Sequence, residues 1–148
     1  MKKYDAHIHI ALDGADYKEM KKLHEDGYKI AIVSTRSHEG IESLLDDFDL
    51  RQYVDDICGL KDVEKLKPDP EAIFKLVNRN GWNKEAVMIG DSLMDIRCGS
   101  NYGAFTVAFL NDPERSELLS KEANRSISDM ADLIPILNET NAFTYDEK

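Results

Sequence analysis

Five side chains of this sequence are suited, by type and spacing, to bind a phosphoryl group together with a metal ion. Asp91 and Asp95 lie four residues apart after an apolar run, and such a pair of carboxylates suits one Mg²⁺ ion that keeps part of its water. Ser34 and Thr35 follow another apolar run, where hydroxyls and free backbone N–H groups can hold an anion. Lys67 stands shortly before a predicted helix and can neutralise phosphate charge. Taken one at a time, these residues also fit plainer roles as helix caps or solvated charges.

Three apolar runs predict the strands that position these residues. The runs are apolar on both faces, as is typical of buried parallel strands, and they cover Lys29–Val33, Ala86–Ile89 and Ala104–Leu110. Segments of helical periodicity cover Asp16–Asp26, Gly40–Asp47, Asp69–Asn80 and the chain from Ser128 onward, where Pro135 predicts a kink. In the third of these helices, Asp69 and Pro70 predict the N-cap and the first helical position.

The alternation of strands and helices predicts an α/β fold, a three-layer α/β/α, doubly wound (Rossmann-like) parallel sheet. Such sheets bind ligands beyond the carboxyl ends of their strands, at the topological switch point. Because Ser34 and Asp91 each follow a predicted strand, we expect them to meet at that edge. We predict a single domain over residues 1–138 and a frayed tail over residues 139–148.

Composition and charge exclude several classes of function. The 148 residues are 42% hydrophobic, which is typical of a globular domain. The net charge of −10 argues against binding to nucleic acid or to an anionic membrane surface, and no apolar run approaches the length of a membrane span. The first residues, MKKYDAHIHIALDG, lack the apolar stretch of a signal peptide. Cys58 and Cys98 form no metal-binding pair, so buried, reduced thiols in a cytoplasmic protein are expected.

The order of the three stretches resembles that of the haloacid dehalogenase-like (HAD) hydrolases, most closely their phosphatase branch. A hydroxyl after one strand is followed by KPDP and then, after the next strand, by GDSLMD. The stretches DGYKIAIVSTRSHEGIESLL, LRQYVDDICGLKDVEKLKPDPEAI, VMIGDSLMDIRCGSNYGAFTVAF and NRSISDMADL extend the resemblance from about Asp26 to Leu137. The resemblance implies a HAD-like fold.

The resemblance also implies a role for each residue of the site. Ser34, with Thr35 beside it, would hydrogen-bond the phosphoryl group, and Lys67 would hold the charges of nucleophile and phosphate together. Asp91 would be a direct ligand of Mg²⁺, and Asp95 would support the ion directly or through water. The implied function is Mg²⁺-dependent hydrolysis of a phosphomonoester through an aspartyl-phosphate. The alternative is a HAD-like domain that has lost turnover and serves as a binding or assembly module.

The first motif of the family, DxDGT after an apolar strand, is degenerate in this sequence. In the alignment that we favour, residues 1–4 form the strand and Asp5 is both the nucleophile and a metal ligand. His7 then stands at the acid/base position, and its unperturbed pKa of about 6.5 suits that role near neutral pH.

A second alignment of the first motif stays open. It matches Leu12-Asp13-Gly14 to the LDG of the motif and gives residues 6–11 as the strand. Ala11 then stands at the position of the nucleophile, and such a protein could not form the covalent intermediate.

His7 and His9 also resemble the HxH strand of metal-dependent amidohydrolases. That fold is a (β/α)₈ barrel of about 250 residues and needs further ligands downstream. The only other histidines are His24 and His38, so both the length of the chain and the number of ligands argue against this alternative.

The short segment between the first motif and Gly27 leaves no room for a large cap domain. We therefore expect an open site that accepts a phosphorylated small molecule or macromolecule, and an open site is also compatible with a homo-oligomer. Ser37, His38 and residues 11–15 are the nearby candidates for substrate contact.

Overall fold

The computed structural model describes residues 7–10 and 19–139, with side chains for residues 19–138. The strands are β1 His7–Ile10, β2 Lys29–Val33, β3 Asp56–Cys58, β4 Ala86–Gly90, β5 Phe105–Phe109 and β6 Arg125–Ile127. The helices are α1 Met20–Glu25, α2 His38–Asp47, α3 Glu71–Asn80, α4 Leu93–Tyr102, α5 Pro113–Glu122 and α6 Leu133–Glu139. Short 3₁₀ turns cover Arg51–Tyr53, Leu60–Asp62 and Met130–Asp132.

The strands of the described residues form one parallel sheet in the order β3-β2-β1-β4-β5-β6. The chain runs outward from β1 to β3 on one side and then returns to β4 on the other side of β1. The switch point therefore lies between β1 and β4, at the edge where β2 and β4 also end. The predicted doubly wound α/β fold is confirmed.

Strand β2 shows why the sheet is covered on both faces. Ile30 and Ile32 are fully buried in a core shared with side chains of α1, α2 and α6. Ala31 and Val33 alternate with them and pack into a second core with side chains of α3 and α4. Because successive side chains of a strand point to opposite faces, a continuous apolar run places the strand between two layers of helices.

The three predicted strands and the predicted helices at 40–47 and 69–80 agree with the structure to within two residues, whereas α1 begins at Met20 and α6 at Leu133, later than the predicted starts at Asp16 and Ser128. The predicted strand at 29–33 is β2, and those at 86–89 and 104–110 are β4 and β5. Helix α3 has Pro70 at its N-cap, one position later than predicted, and the Asp69 carboxylate accepts a hydrogen bond from the Glu71 N–H at 3.0 Å. Pro135 is the third residue of α6. A proline there interrupts no helical hydrogen bond, so the predicted kink is wrong.

The first strand differs from our favoured prediction. The central strand of the sheet is β1, His7–Ile10, which falls within residues 6–11 of the second alignment and after Asp5 in the chain. Its register is His7 beside Lys29 and Ala86, and Ile10 beside Ile32 and Ile89. The carboxyl end of β1 therefore meets those of β2 and β4 after Ile10.

Cys58 and Cys98 are buried and form no disulfide. Burial raises the pKa of the Cys58 thiol to about 11 and that of the Cys98 thiol to about 12, so both stay protonated at neutral pH. Across residues 7–10 and 19–139, no helix has the length and apolarity needed to cross a bilayer.

We expect Gly99→Ala to destabilise the fold because α4 packs tightly on the sheet at this residue. A Cβ at Gly99 would lie 2.6 Å from the Cβ of Met88 and 2.8 Å from Cγ2 of Thr106. Both neighbours belong to strands that cannot retreat, so we expect a loss of about 1–3 kcal/mol in the free energy of unfolding. Denaturant unfolding checks this, with the exposed Ser100→Ala on the same helix as control. Equal denaturant concentrations at the midpoint of unfolding for the two variants would contradict the prediction.

Candidate active site

A cavity of about 360 Å³ opens at the edge of the sheet where β2 and β4 end. Its lining residues are Val33, Ser34, Thr35, Leu66, Lys67, Asp91, Ser92, Met94, Asp95 and Arg115. The structure thus brings together all five residues that the opening motifs predicted. The volume of the cavity is at the lower end of the range for pockets that bind small molecules, about 300–1,000 Å³.

Ser34 follows β2 and is held by two backbone hydrogen bonds. Its N–H donates to the Cys58 carbonyl at 3.1 Å, and its Oγ accepts from the Arg36 N–H at 3.0 Å. Because the hydroxyl oxygen already accepts a hydrogen bond, its O–H is available to donate to an anion in the cavity.

The loops after β2 and β3 are tied to each other. The Leu60 N–H donates to the Arg36 carbonyl at 2.9 Å, and His38 Nδ1 lies 3.2 Å from Oδ2 of Asp62. The same Asp62 oxygen accepts from the Gly59 N–H at 2.6 Å. The hydrogen bond to Asp62 raises the pKa of His38. These contacts fix the loop that carries Ser34.

The predicted substrate contacts at Ser37 and His38 do not line the cavity. Ser37 is the N-cap of α2, where its Oγ accepts from the Gly40 N–H at 3.0 Å. His38 faces a separate surface depression that it shares with Glu42 and Arg51. Both side chains stabilise local structure outside the cavity, so the structure does not support the predicted substrate contacts. Residues 11–15 lie outside the described residues.

Asp91 is a buried carboxylate that faces the cavity. It is 8% exposed, and its Oδ2 accepts a hydrogen bond from Asn111 Nδ2 at 3.1 Å. Burial raises the pKa of Asp91, and the negative charge of Asp95 raises it further, against the lowering effect of the Asn111 hydrogen bond. Asp91 does not cap α4, because Ser92 is the N-cap. A nearby cation would stabilise its charged form.

Lys67 and Asp95 form a buried ion pair beside Asp91. Lys67 Nζ donates to Oδ1 of Asp95, and the Ser92 hydroxyl donates to Oδ2 at 2.9 Å. The two side chains of the ion pair are 12% and 3% exposed. Asp95 therefore holds Lys67 in place. Gly90 makes room for Asp95, since a Cβ there would lie 2.3 Å from the Asp95 Cβ.

The donors of this cavity are compatible with Mg²⁺. Mg²⁺ commonly uses one or two protein carboxylates and keeps several waters. Asp91 offers one carboxylate that is buried, oriented by Asn111 and costly to ionise without a cation. Within the described ranges, no group of three or more His, Cys, Asp or Glu side chains forms a metal site.

Asp5 and Asp13 lie outside the described residues, as does the side chain of His7. In register, Ser34 and Asp91 each stand five residues beyond the partners of His7, or about 16 Å along the strands at 3.3 Å per residue. The backbone of His7 therefore begins β1 at the edge of the sheet opposite to the cavity, which argues against the predicted acid/base role. The predicted roles of Asp5 as nucleophile and metal ligand stay predictions.

Several residues around the cavity were not among the predicted site residues. Asn111 and Arg115 follow β5, Ser92 is the N-cap of α4, and Leu66 and Met94 form an exposed apolar rim. The position of Asn111 after a predicted strand was a usable signal, but no motif marked it.

A family model described as "Haloacid dehalogenase-like hydrolase" matches residues 6–109 of the chain. Among curated proteins, the pyrophosphatase PpaX of Halalkalibacterium halodurans is 36% identical over 126 residues, which are 81% of this chain and 58% of that protein. A PpaX of Bacillus cereus is 33% identical and covers 84% of this chain and 59% of its own. The chain thus spans less than two thirds of the length of these relatives.

A solved structure agrees with this similarity. The HAD phosphatase of Thermococcus onnurineus superposes with a TM-score of 0.67 at 29% identity, over 80% of this chain and 54% of its own. The core domain of a Streptococcus pneumoniae protein assigned to the phosphoglycolate phosphatases gives a TM-score of 0.74 over 95% of this chain and 98% of its own. At 23% identity, this second likeness concerns the fold alone.

Proposed function

Because the chain belongs to the haloacid dehalogenase-like hydrolase family, we propose that it hydrolyses the phosphate ester of a small molecule with the help of Mg²⁺. The observation that supports this proposal is the meeting of Ser34, Lys67 and Asp91 at one cavity. A hydroxyl, an ammonium group and a buried carboxylate suit phosphoryl transfer, because that reaction depends on positioning and on neutralising charge.

Each of these residues has a defined task in the proposal. The Ser34 O–H donates to a phosphoryl oxygen, and the Lys67 ammonium neutralises the charge of the phosphoryl group while Asp95 keeps it in position. Asp91 would hold the metal ion, with Asn111 orienting its carboxylate. When bound, Mg²⁺ supplies positive charge at the phosphoryl oxygens.

We place the reactive carboxylate at Asp13 and no longer at Asp5. Asp13 is the first acidic residue that follows β1 in the chain, three residues after Ile10. In the covalent route, a carboxylate oxygen attacks the phosphorus, the bond to the leaving oxygen breaks and that oxygen takes up a proton. Water then attacks the aspartyl-phosphate, which releases inorganic phosphate and restores the carboxylate.

The register of β1 favours a second candidate, namely phosphoryl binding without hydrolysis. The alignment that agrees with this register has Ala11 at the position of the nucleophile. A domain of this kind would retain the binding residues and serve as a binding or assembly module.

Hydrolysis of p-nitrophenyl phosphate and of pyrophosphate, the latter being the substrate for which the PpaX relatives are named, tests the first candidate. We expect turnover that needs Mg²⁺, stops with EDTA, survives in Asp5→Asn and is lost in Asp13→Asn. Loss of turnover in Asp5→Asn alone would overturn our placement of the carboxylate.

The same proteins test the second candidate. An inactive wild type that binds beryllium fluoride with Mg²⁺, together with new turnover in Ala11→Asp, would select phosphoryl binding without hydrolysis. A wild type that neither turns over nor binds beryllium fluoride would overturn both candidates.

A further inference from the structure

Arg115 is the second cation of the candidate active site, and the tasks described above leave it unused. Of the described residues that line the cavity, only Lys67 and Arg115 carry a positive charge. Lys67 is engaged with Asp95 and is 12% exposed, whereas the Arg115 side chain is 48% exposed. A ligand that enters the cavity can therefore reach the guanidinium group.

The position of Arg115 on α5 is unfavourable for the helix itself. Arg115 is the third residue of α5, and a positive charge in the first turn opposes the helix dipole. Asp112, the N-cap residue, offsets this cost in part, since its Oδ2 lies 3.2 Å from Arg115 Nε. The contact engages Nε and, among the described residues, leaves the two terminal nitrogens of the guanidinium without an acceptor.

The charges around the cavity indicate which kind of ligand group the Arg115 guanidinium can bind. Asp91 and Asp95 bring two negative charges, and Lys67 offsets one of them. The charge of Arg115 also acts on Asp91, whose pKa it lowers. With a divalent cation on Asp91, the cavity would carry a net positive charge, and Arg115 supplies part of it.

Among the other exposed side chains that line the cavity, none carries a positive charge: Thr35 offers only a hydroxyl, and the rest are apolar. Leu66 and Met94 are 46% and 39% exposed and apolar. A second anionic group in the cavity therefore has one charged partner left to meet, the guanidinium group of Arg115, whose planar fork suits carboxylate and phosphate oxygens.

We propose that Arg115 binds a second anionic group of the substrate, so that the site selects small phosphorylated compounds that carry a further carboxylate or phosphate. This inference rests on the proposed phosphoryl site, and it adds a specificity-determining residue and a class of substrate. The terminal nitrogens donate to the second anion, while Asp112 keeps Nε in place.

Three phosphonates that cannot be hydrolysed test this inference by calorimetry at constant free Mg²⁺. Methylphosphonate carries one anionic group, phosphonoacetate adds a carboxylate, and methylenediphosphonate adds a second phosphonate. In Arg115→Gln we expect one or both of the two-anion probes to bind about 10- to 100-fold more weakly, with methylphosphonate changed less than about 2-fold. The probe that loses affinity identifies the second group. Arg115→Lys should lie between.

Arg97→Gln is the matched control, because Arg97 is 44% exposed, lies on α4 and pairs with Glu122 outside the cavity. It removes the same charge and should leave all three affinities unchanged. Equal losses for all probes in Arg115→Gln, or no loss, would overturn the inference while the phosphoryl site stands. Failure of methylphosphonate and both two-anion probes to bind the wild type would overturn the proposed function, and this inference with it.

Discussion

Replacing Lys67 with methionine is expected to lower both phosphoryl binding and the stability of the fold. Methionine keeps most of the side-chain volume but leaves the Asp95 carboxylate, 3% exposed, without its counter-charge. Removing one partner of a buried ion pair typically costs about 3–5 kcal/mol. At roughly 2–4 °C per kcal/mol for a chain of this size, the melting temperature should fall by about 6–20 °C. Turnover should fall by about 100-fold or more, because a charge at the phosphoryl group is lost.

Thermal unfolding in EDTA and hydrolysis with Mg²⁺ measure the two effects of Lys67→Met separately. Lys121→Met is the control, since Lys121 is 71% exposed and its contact with Glu117 is a surface pair worth little. The double variant Lys67→Met/Asp95→Asn should recover part of the lost stability, because the uncompensated charge is gone, while turnover stays low. A melting temperature equal to that of Lys121→Met would contradict the importance of the pair.

Replacing Asp91 with asparagine is expected to remove Mg²⁺ binding and, without metal, to stabilise the fold. Burial raises the pKa of Asp91, so the folded chain holds this proton more tightly than the unfolded chain. The ionised Asp91 therefore destabilises the metal-free fold, and the cost grows as the pH rises from about 3.9 through the raised pKa. Asparagine cannot ionise. We expect turnover by Asp91→Asn to be at least about 100-fold slower, by analogy with the loss of a charge-stabilising group.

Denaturant unfolding in EDTA at pH 4 and pH 7 tests the stability effect of Asp91→Asn. The variant should be more stable than the wild type at pH 7, and the difference should shrink at pH 4. Asp132→Asn removes the same charge from an exposed carboxylate in the turn before α6 and serves as control. Titration with Mg²⁺ should raise the melting temperature of the wild type and of Asp132→Asn, but not that of Asp91→Asn. A variant that is less stable at pH 7 would contradict our interpretation of the buried charge.

The strands that the sequence revealed are those buried on both faces. β2, β4 and β5 are continuous apolar runs, and each was predicted to within one residue per end. β3 and β6 are three-residue edge strands that include Asp56 and Arg125, so no apolar run marked them. β1 reads HIHI, an alternation that does not distinguish a central strand from an exposed one. Only its pairing with β2 and β4 shows where the strand ends.

The candidate site was predictable where side chains follow a strand in a recognisable order. Ser34, Lys67 and Asp91 come from three separate loops and Asp95 from the first turn of α4, and the parallel sheet brings them to one edge. The partners of these residues were not predictable. Asn111 follows a strand without a motif, and the pairing of Lys67 with Asp95 spans 28 residues of sequence. Such contacts depend on how the loops pack, which spacing along the chain does not record.

The ties between the loops after β2 and β3 have a consequence for how this edge of the molecule opens. The Ser34 N–H is bonded to the Cys58 carbonyl and the Leu60 N–H to the Arg36 carbonyl, so neither amide can exchange with solvent unless the two loops separate. Segments joined in this way open as one cooperative unit. Opening of this unit therefore displaces the Ser34 hydroxyl and the backbone that leads toward Lys67 at the same time. Slow hydrogen exchange at the Ser34 and Leu60 amides would report on both.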